Sequence, residues 1–209
     1  MLVRAGAHQI LAGLKRSLAA FRRDRGGVAA IEFAFIAPIL LAMYFLTMEF
    51  SQGIETNKKV SRIGSMVADL VAQQRDTVSA DDLADIMRIA QTTLAPYNRS
   101  SPTIIITGIQ LSSDATPTAK VAWSRKMVNG AFSPGARVNS DTTVPTSLKL
   151  ANTFLIRVES QLAYKPVITW AAGDKRALGI TAAFDNIDMS ETYYLRPRIS
   201  SVISCSNCN

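Results

Sequence analysis

Residues 28–46 read "VAAIEFAFIAPILLAMYFL", and Glu32 is the only formal charge among them. As a helix this run measures roughly 28 Å, at about 1.5 Å per residue, close to the hydrocarbon thickness of a bilayer. A helix of that length in a soluble core shows a polar face, and this one has none. The run therefore predicts a membrane span. An ionisable side chain at the centre of such a span costs about 2.5–3.5 kcal/mol, and less near its end, so Glu32 is by default a functional candidate.

The chain has 209 residues, enough for one domain with a real core plus an appendage. Its net charge of +7 raises a nucleic-acid reading, so the location of the surplus matters. Residues 1–27 hold Arg4, Lys15, Arg16, Arg22, Arg23 and Arg25 against Asp24 alone, and the remainder is nearly balanced. A basic stretch just before an apolar run follows the positive-inside rule: the N-terminus stays in the cytoplasm and the rest is exported. A phosphate-binding surface does not fit a charge absent from the folded part, so no nucleic-acid partner is expected.

Four regions follow: a basic leader over 1–27, a transmembrane helix over 28–50, a helical region over 51–100 and a β-rich domain over 101–209. Within the leader, residues 10–21 predict a short amphipathic helix against the membrane surface. Beyond the span, Val60, Ile63, Val67 and Leu70 are spaced 3, 4 and 3, one stripe of a continuing helix. A stripe this short is read as a face packed on the protein's own sheet rather than a coiled coil. Ser79 followed by Asp82 is a carboxylate variant of the capping box, and Pro96 marks the stop of the helix it starts. Asp81, Asp82 and Asp85 are explained by the dipole of that helix, without a metal.

"TIIITGIQL" is rich in β-branched residues, and "AKVAWSRKMV" is a strand ahead of the Asn129–Gly130 turn signal. In "TFLIRVESQLAY", Phe154, Ile156, Val158, Leu162 and Tyr164 alternate with polar residues. "ETYYLRPRISSVI" is the last candidate strand, limited by Pro197. Residues 129–147 carry no periodicity and are expected to be irregular. The predicted fold class is α+β: a long N-terminal transmembrane helix extending into the exported side, a second short helix and an antiparallel sheet.

Catalytic readings find little support. His8, the only histidine, lies in the leader, so no histidine-based triad or metal cluster can form in the exported domain. "GDKRALG" at 173–179 lacks the spacing of a phosphate loop. "DMSET" at 188–192 echoes the start of a von Willebrand-type metal site, but too little chain follows it, and it reads as a polar turn before the last strand. No enzyme activity, cofactor, metal or small-molecule substrate is expected. Cys205 and Cys208, as "CSNC", lack the context of a redox motif or zinc site. In an oxidising compartment they either pair with each other, adding little stability across so short a loop, or bond a partner.

Three explanations of the apolar run remain. A cleavable secretory signal has a shorter core and a small-residue site, and "TMEFSQG" after Leu46 offers none. A plain signal anchor gives no reason for Glu32. The third uses spacing, since a cut after Gly27 makes Val28 the first residue and Glu32 the fifth. This arrangement, with Phe33 next, resembles the prepilin-peptidase site of the type IV pilin superfamily. Cleavage leaves a cationic amino terminus in the membrane, and burying it alone is expensive. A carboxylate on an adjoining subunit that pairs with it acts as a register key. Pro38 removes one backbone hydrogen bond from the helix and permits a kink.

The stretch 22–52, "RRDRGGVAAIEFAFIAPILLAMYFLTMEFSQ", resembles the TadE-like family of the bacterial tight-adherence pilus system. The resemblance rests on Gly26–Gly27, Glu32–Phe33–Ala34, Pro38 and Glu49–Phe50. "YKP" at 164–166 and "RPR" at 196–198 are similar to that family's periplasmic part, less specifically. The resemblance implies a minor pseudopilin that assists assembly or initiation of an adhesive pilus, anchored in the inner membrane with a periplasmic domain. It implies a prepilin peptidase, other pilins or pseudopilins and pilus assembly proteins as partners. The alternative is an uncleaved, signal-anchored periplasmic scaffold of an envelope complex.

Overall fold

The computed structural model describes residues 26–167 and 187–208. The expected leader helix at 10–21 and the glycine-containing stretch at 173–179 lie outside the described residues. The chain divides into two compact units, Met1–Met48 and Glu49–Asn209.

The helix α1 runs over Gly26–Ala72 and contains Pro38. In the first unit its side chains face outward on every side: Val28, Phe33, Phe35, Leu40 and Tyr44 are each more than half exposed. An 18-residue window of this helix has a mean hydropathy of 2.1 and none of it is buried, so it is long and apolar enough to cross a membrane. Pro38 cannot donate to the carbonyl four residues back, yet helical backbone continues on both sides of it.

The second unit is an α+β domain. After α1 come β1 (Thr77–Ser79), α2 (Ala80–Thr92), β2 (Thr103–Leu111), β3 (Ala119–Val128) and β4 (Ala131–Pro134). A 3-10 turn at Thr146–Leu148, then β5 (Phe154–Tyr164), β6 (Ile187–Leu195) and β7 (Ser204–Ser206) complete it. Five strands form an antiparallel sheet in the order β4-β3-β2-β5-β6. One face of it carries Ile104, Ile106, Ile156, Val158 and Leu162, which form a single core with Val60, Ile63 and Val67 of α1 and Leu83 and Met87 of α2. The expected stripe on α1 thus packs on the protein's own sheet. Its last member, Leu70, is only partly buried, and Val71 and Ala68 complete the seam.

Local chemistry accounts for the elements. Ser79 caps α2, its hydroxyl accepting from the Asp82 N–H at 3.1 Å while the Asp82 carboxylate accepts from the Ser79 N–H at 2.9 Å. These two bonds satisfy donors that a helix start leaves open. The Ser79 hydroxyl, which also donates to the Asp82 carboxylate at 2.7 Å, and then the Ser79 N–H hold the Asp82 pKa below its usual value. Asn129 and Gly130, with φ of 51° and 78°, make the two-residue turn joining β3 to β4, which suits the twist of a hairpin. Gly64 lets α1 approach the sheet: a Cβ there would lie 2.7 Å from the Tyr193 ring and 2.9 Å from Ser160 Oγ. At this approach Ser160 Oγ–H donates to the Val60 carbonyl at 3.0 Å.

Two expectations need correction. Residues 129–147 are not wholly irregular, because Ala131–Pro134 pairs with β3 as a short edge strand. Its terminal Pro134 is tolerated there because an edge leaves donors unpaired. Residues 188–192 form no turn; they lie within β6, the opposite edge, where Met189 is buried and Asp188 and Ser190 face outward. A two-stranded parallel sheet of β1 and β7 adds to the antiparallel one.

Candidate functional site

The residues singled out in the apolar run share the N-terminal part of α1. Gly27 has open space around its Cα, Val28 and Phe33 are 52% and 68% exposed, and Glu32 is exposed. Val28 and Glu32 are four residues apart, so they share one helix face, with Cβ atoms about 5–6 Å apart. Among the described residues no ion pair or hydrogen bond involves the Glu32 carboxylate. It is an exposed carboxylate on an apolar helix surface, about one turn from Gly27–Val28.

The second Glu–Phe pair behaves differently. Glu49 opens the globular unit and is 5% exposed. Its Oε1 accepts from the Tyr164 hydroxyl at 2.6 Å and its Oε2 from the Val167 N–H at 2.9 Å. A buried carboxylate without such donors is strongly unfavourable, so these bonds are a condition of Glu49 being there. The Tyr164 ring stacks on Tyr97, with centroids 5.5 Å apart, and the Arg99 guanidinium lies 4.6 Å from the Tyr97 ring. Arg99 Nε–H donates to the Lys165 carbonyl at 2.6 Å, and Tyr97 Oη accepts from the Lys165 N–H at 2.9 Å. Burial first, then the adjacent Glu49 carboxylate, push the Tyr164 hydroxyl from 10.0 up to about 12, with Arg99 opposing. The group therefore stays protonated and donating at any physiological pH.

The "YKP" and "RPR" stretches thus have structural work. Tyr164 closes the Glu49 tie, and Arg198 pairs with Asp69 of α1 while its N–H donates to the Ala72 carbonyl at 2.9 Å. Sequence reasoning missed Glu49 as a buried anchor. The available signal was an acidic residue directly after an apolar run, with a tyrosine ending a well-formed strand far along the chain. Cys205 and Cys208 are joined as a disulfide. Among the described residues, no group of His, Cys, Asp or Glu side chains is arranged to hold a metal ion.

The family model for TadE-like protein matches residues 27–61, from Gly27 through Glu32, Pro38 and Glu49 into the globular unit. The matched segment is TadE-like. Neither the curated proteins nor the solved structures contain a match to the chain. A TadE-like segment on a helix long and apolar enough to span a membrane fits a protein associated with the tight-adherence pilus. The match begins one residue before Val28 and ends just after Val60, so it covers both the exposed Glu32 turn and the buried Glu49.

Proposed function

We propose that the chain is a minor pseudopilin that assists assembly or initiation of a tight-adherence pilus. The single observation that carries this reading is the TadE-like match starting at Gly27, on a helix whose apolar surface faces outward on all sides and bears one carboxylate a turn later. In this reading the basic leader stays in the cytoplasm and the unit Glu49–Asn209 lies in the periplasm, consistent with the charge distribution. A prepilin peptidase cuts between Gly27 and Val28. The new amino terminus is a cation in a low-dielectric setting, and Glu32 of an adjoining subunit pairs with it. Such a pair contributes chiefly by penalising other registers, since a subunit slipped along the bundle leaves both charges unpaired. Phe33 and Pro38 belong to the same register segment, and Pro38 removes one backbone hydrogen bond from it, permitting a kink. The globular unit acts as an interaction domain without catalysis or cofactor.

A second reading has support in the compactness of Glu49–Asn209 as a unit with its own core. It makes the protein an uncleaved, membrane-anchored scaffold of an envelope complex. Glu32→Ala separates the two. The pseudopilin reading expects normal membrane insertion and loss of pili on the cell surface. Normal piliation in that variant contradicts the register role.

A further inference from the structure

After β6 the chain turns back across the unit, tied at successive points. Arg198 is held to the end of α1, and the Ile203 carbonyl accepts from Trp123 Nε1–H at 2.7 Å inside the core. The Ser204 N–H donates to the Asp76 carbonyl at 2.9 Å, and β7 then runs parallel to β1 with Cys205 opposite Val78. Asn207 turns the chain with φ of 60°, and Cys208 re-enters the core at 2% exposure. Its bond to Cys205 spans a Cα separation of 5.8 Å.

We propose that the Cys205–Cys208 disulfide is a redox clasp on this strap. Its formation closes residues 204–208 over Val78, and its reduction frees them while the rest of the unit stays folded. The physical case is one of balance. A three-residue pairing is marginal by itself, and here it and the burial of Cys208 must offset the ordering of residues 204–208. The covalent ring fixes the left-handed turn at Asn207 and makes the burial of Cys208 conditional on the register of β7. The ties at Arg198 and Ile203 lie upstream of the ring and do not depend on it. In the closing step one thiolate attacks the disulfide of an oxidising donor to give a mixed disulfide, and the second thiolate attacks the protein sulfur of that mixed disulfide. The Cys205–Cys208 bond forms as the mixed disulfide breaks, and the donor leaves as a dithiol carrying two electrons and two protons. A dithiol reductant reverses it.

The test uses the full-length protein in detergent, with and without dithiothreitol, reading intact mass, amide exchange and carboxypeptidase trimming. Reduction is expected to add two hydrogens, to accelerate exchange at Val78, opposite Cys205, by at least about tenfold, and to expose 204–208 to trimming, with protection at 60–71 unchanged. Cys205→Ser combined with Cys208→Ser should reproduce this without reductant. If that variant does not accumulate, reduction of preformed wild type decides alone. Equal exchange and trimming in both redox states overturns the clasp. So does loss of protection at 60–71, which would make the bond a support of the whole unit, and so does isolation of a protected tail with both thiols free.

Discussion

Tyr164→Phe removes one hydroxyl from the Glu49 tie and leaves the ring stacked on Tyr97. The deleted bond is short, 2.6 Å, and its acceptor is a carboxylate that is 5% exposed. Hydrogen bonds to charged groups contribute about 1.5–3 kcal/mol, and a partner left buried loses more than an exposed one, so a destabilisation of about 2–3 kcal/mol is expected. The pH dependence gives a second signature. The Tyr164 hydroxyl is raised in the folded protein from 10.0 to about 12, so the unfolded chain ionises first. The stabilisation is therefore complete below pH 10 and is lost as pH rises through about 12. Urea unfolding of the full-length protein in detergent, followed by near-ultraviolet circular dichroism at neutral and alkaline pH, reads both. The gap between wild type and variant should narrow through the alkaline window. A variant within about 0.5 kcal/mol of wild type, or a gap that stays constant with pH, refutes the tie as described.

Gly64→Val should destabilise the globular unit by about 1–3 kcal/mol or more, because the new side chain meets Tyr193 and Ser160 across the packed α1 face. A thermal melt unchanged from wild type contradicts that close approach. Ser79→Ala should cost about 1 kcal/mol through loss of the cap, measurable by chemical denaturation. The Asp82 pKa is depressed in the folded state, so its share of the cap is present above the usual value of 3.8 and fades as pH falls below it. The difference between wild type and Ser79→Ala should shrink correspondingly in acid.

Much of the fold was legible because its signals are local. The alternation in Phe154–Tyr164, the β-branched run Thr103–Leu111 and the Asn129–Gly130 turn each specify backbone within a few residues. The capping box at Ser79 is equally local. What sequence alone did not disclose depends on residues far apart. A three-residue strand such as β1 has no periodicity to detect, and its partner β7 lies at the other end of the chain. The start of β6 was obscured because Asp188 and Ser190 sit on an edge strand, where polar side chains carry no penalty. Glu49 looked like the polar end of a span, and its burial depends on Tyr164 and the Val167 backbone. Glu32 posed the opposite problem. Its oddity was plain from its apolar neighbours, and the exposed helix face on which it lies gives it no partner among the described residues.

The central claim is that the helix becomes functional by losing its leader between Gly27 and Val28. Intact mass of the protein purified from its native membranes, with and without the prepilin peptidase, tests it directly. The account predicts a species lacking residues 1–27 in the wild-type strain and the full-length mass in the deletion strain. A full-length mass in both removes the terminal cation with which Glu32 is proposed to pair, and contradicts the pseudopilin reading.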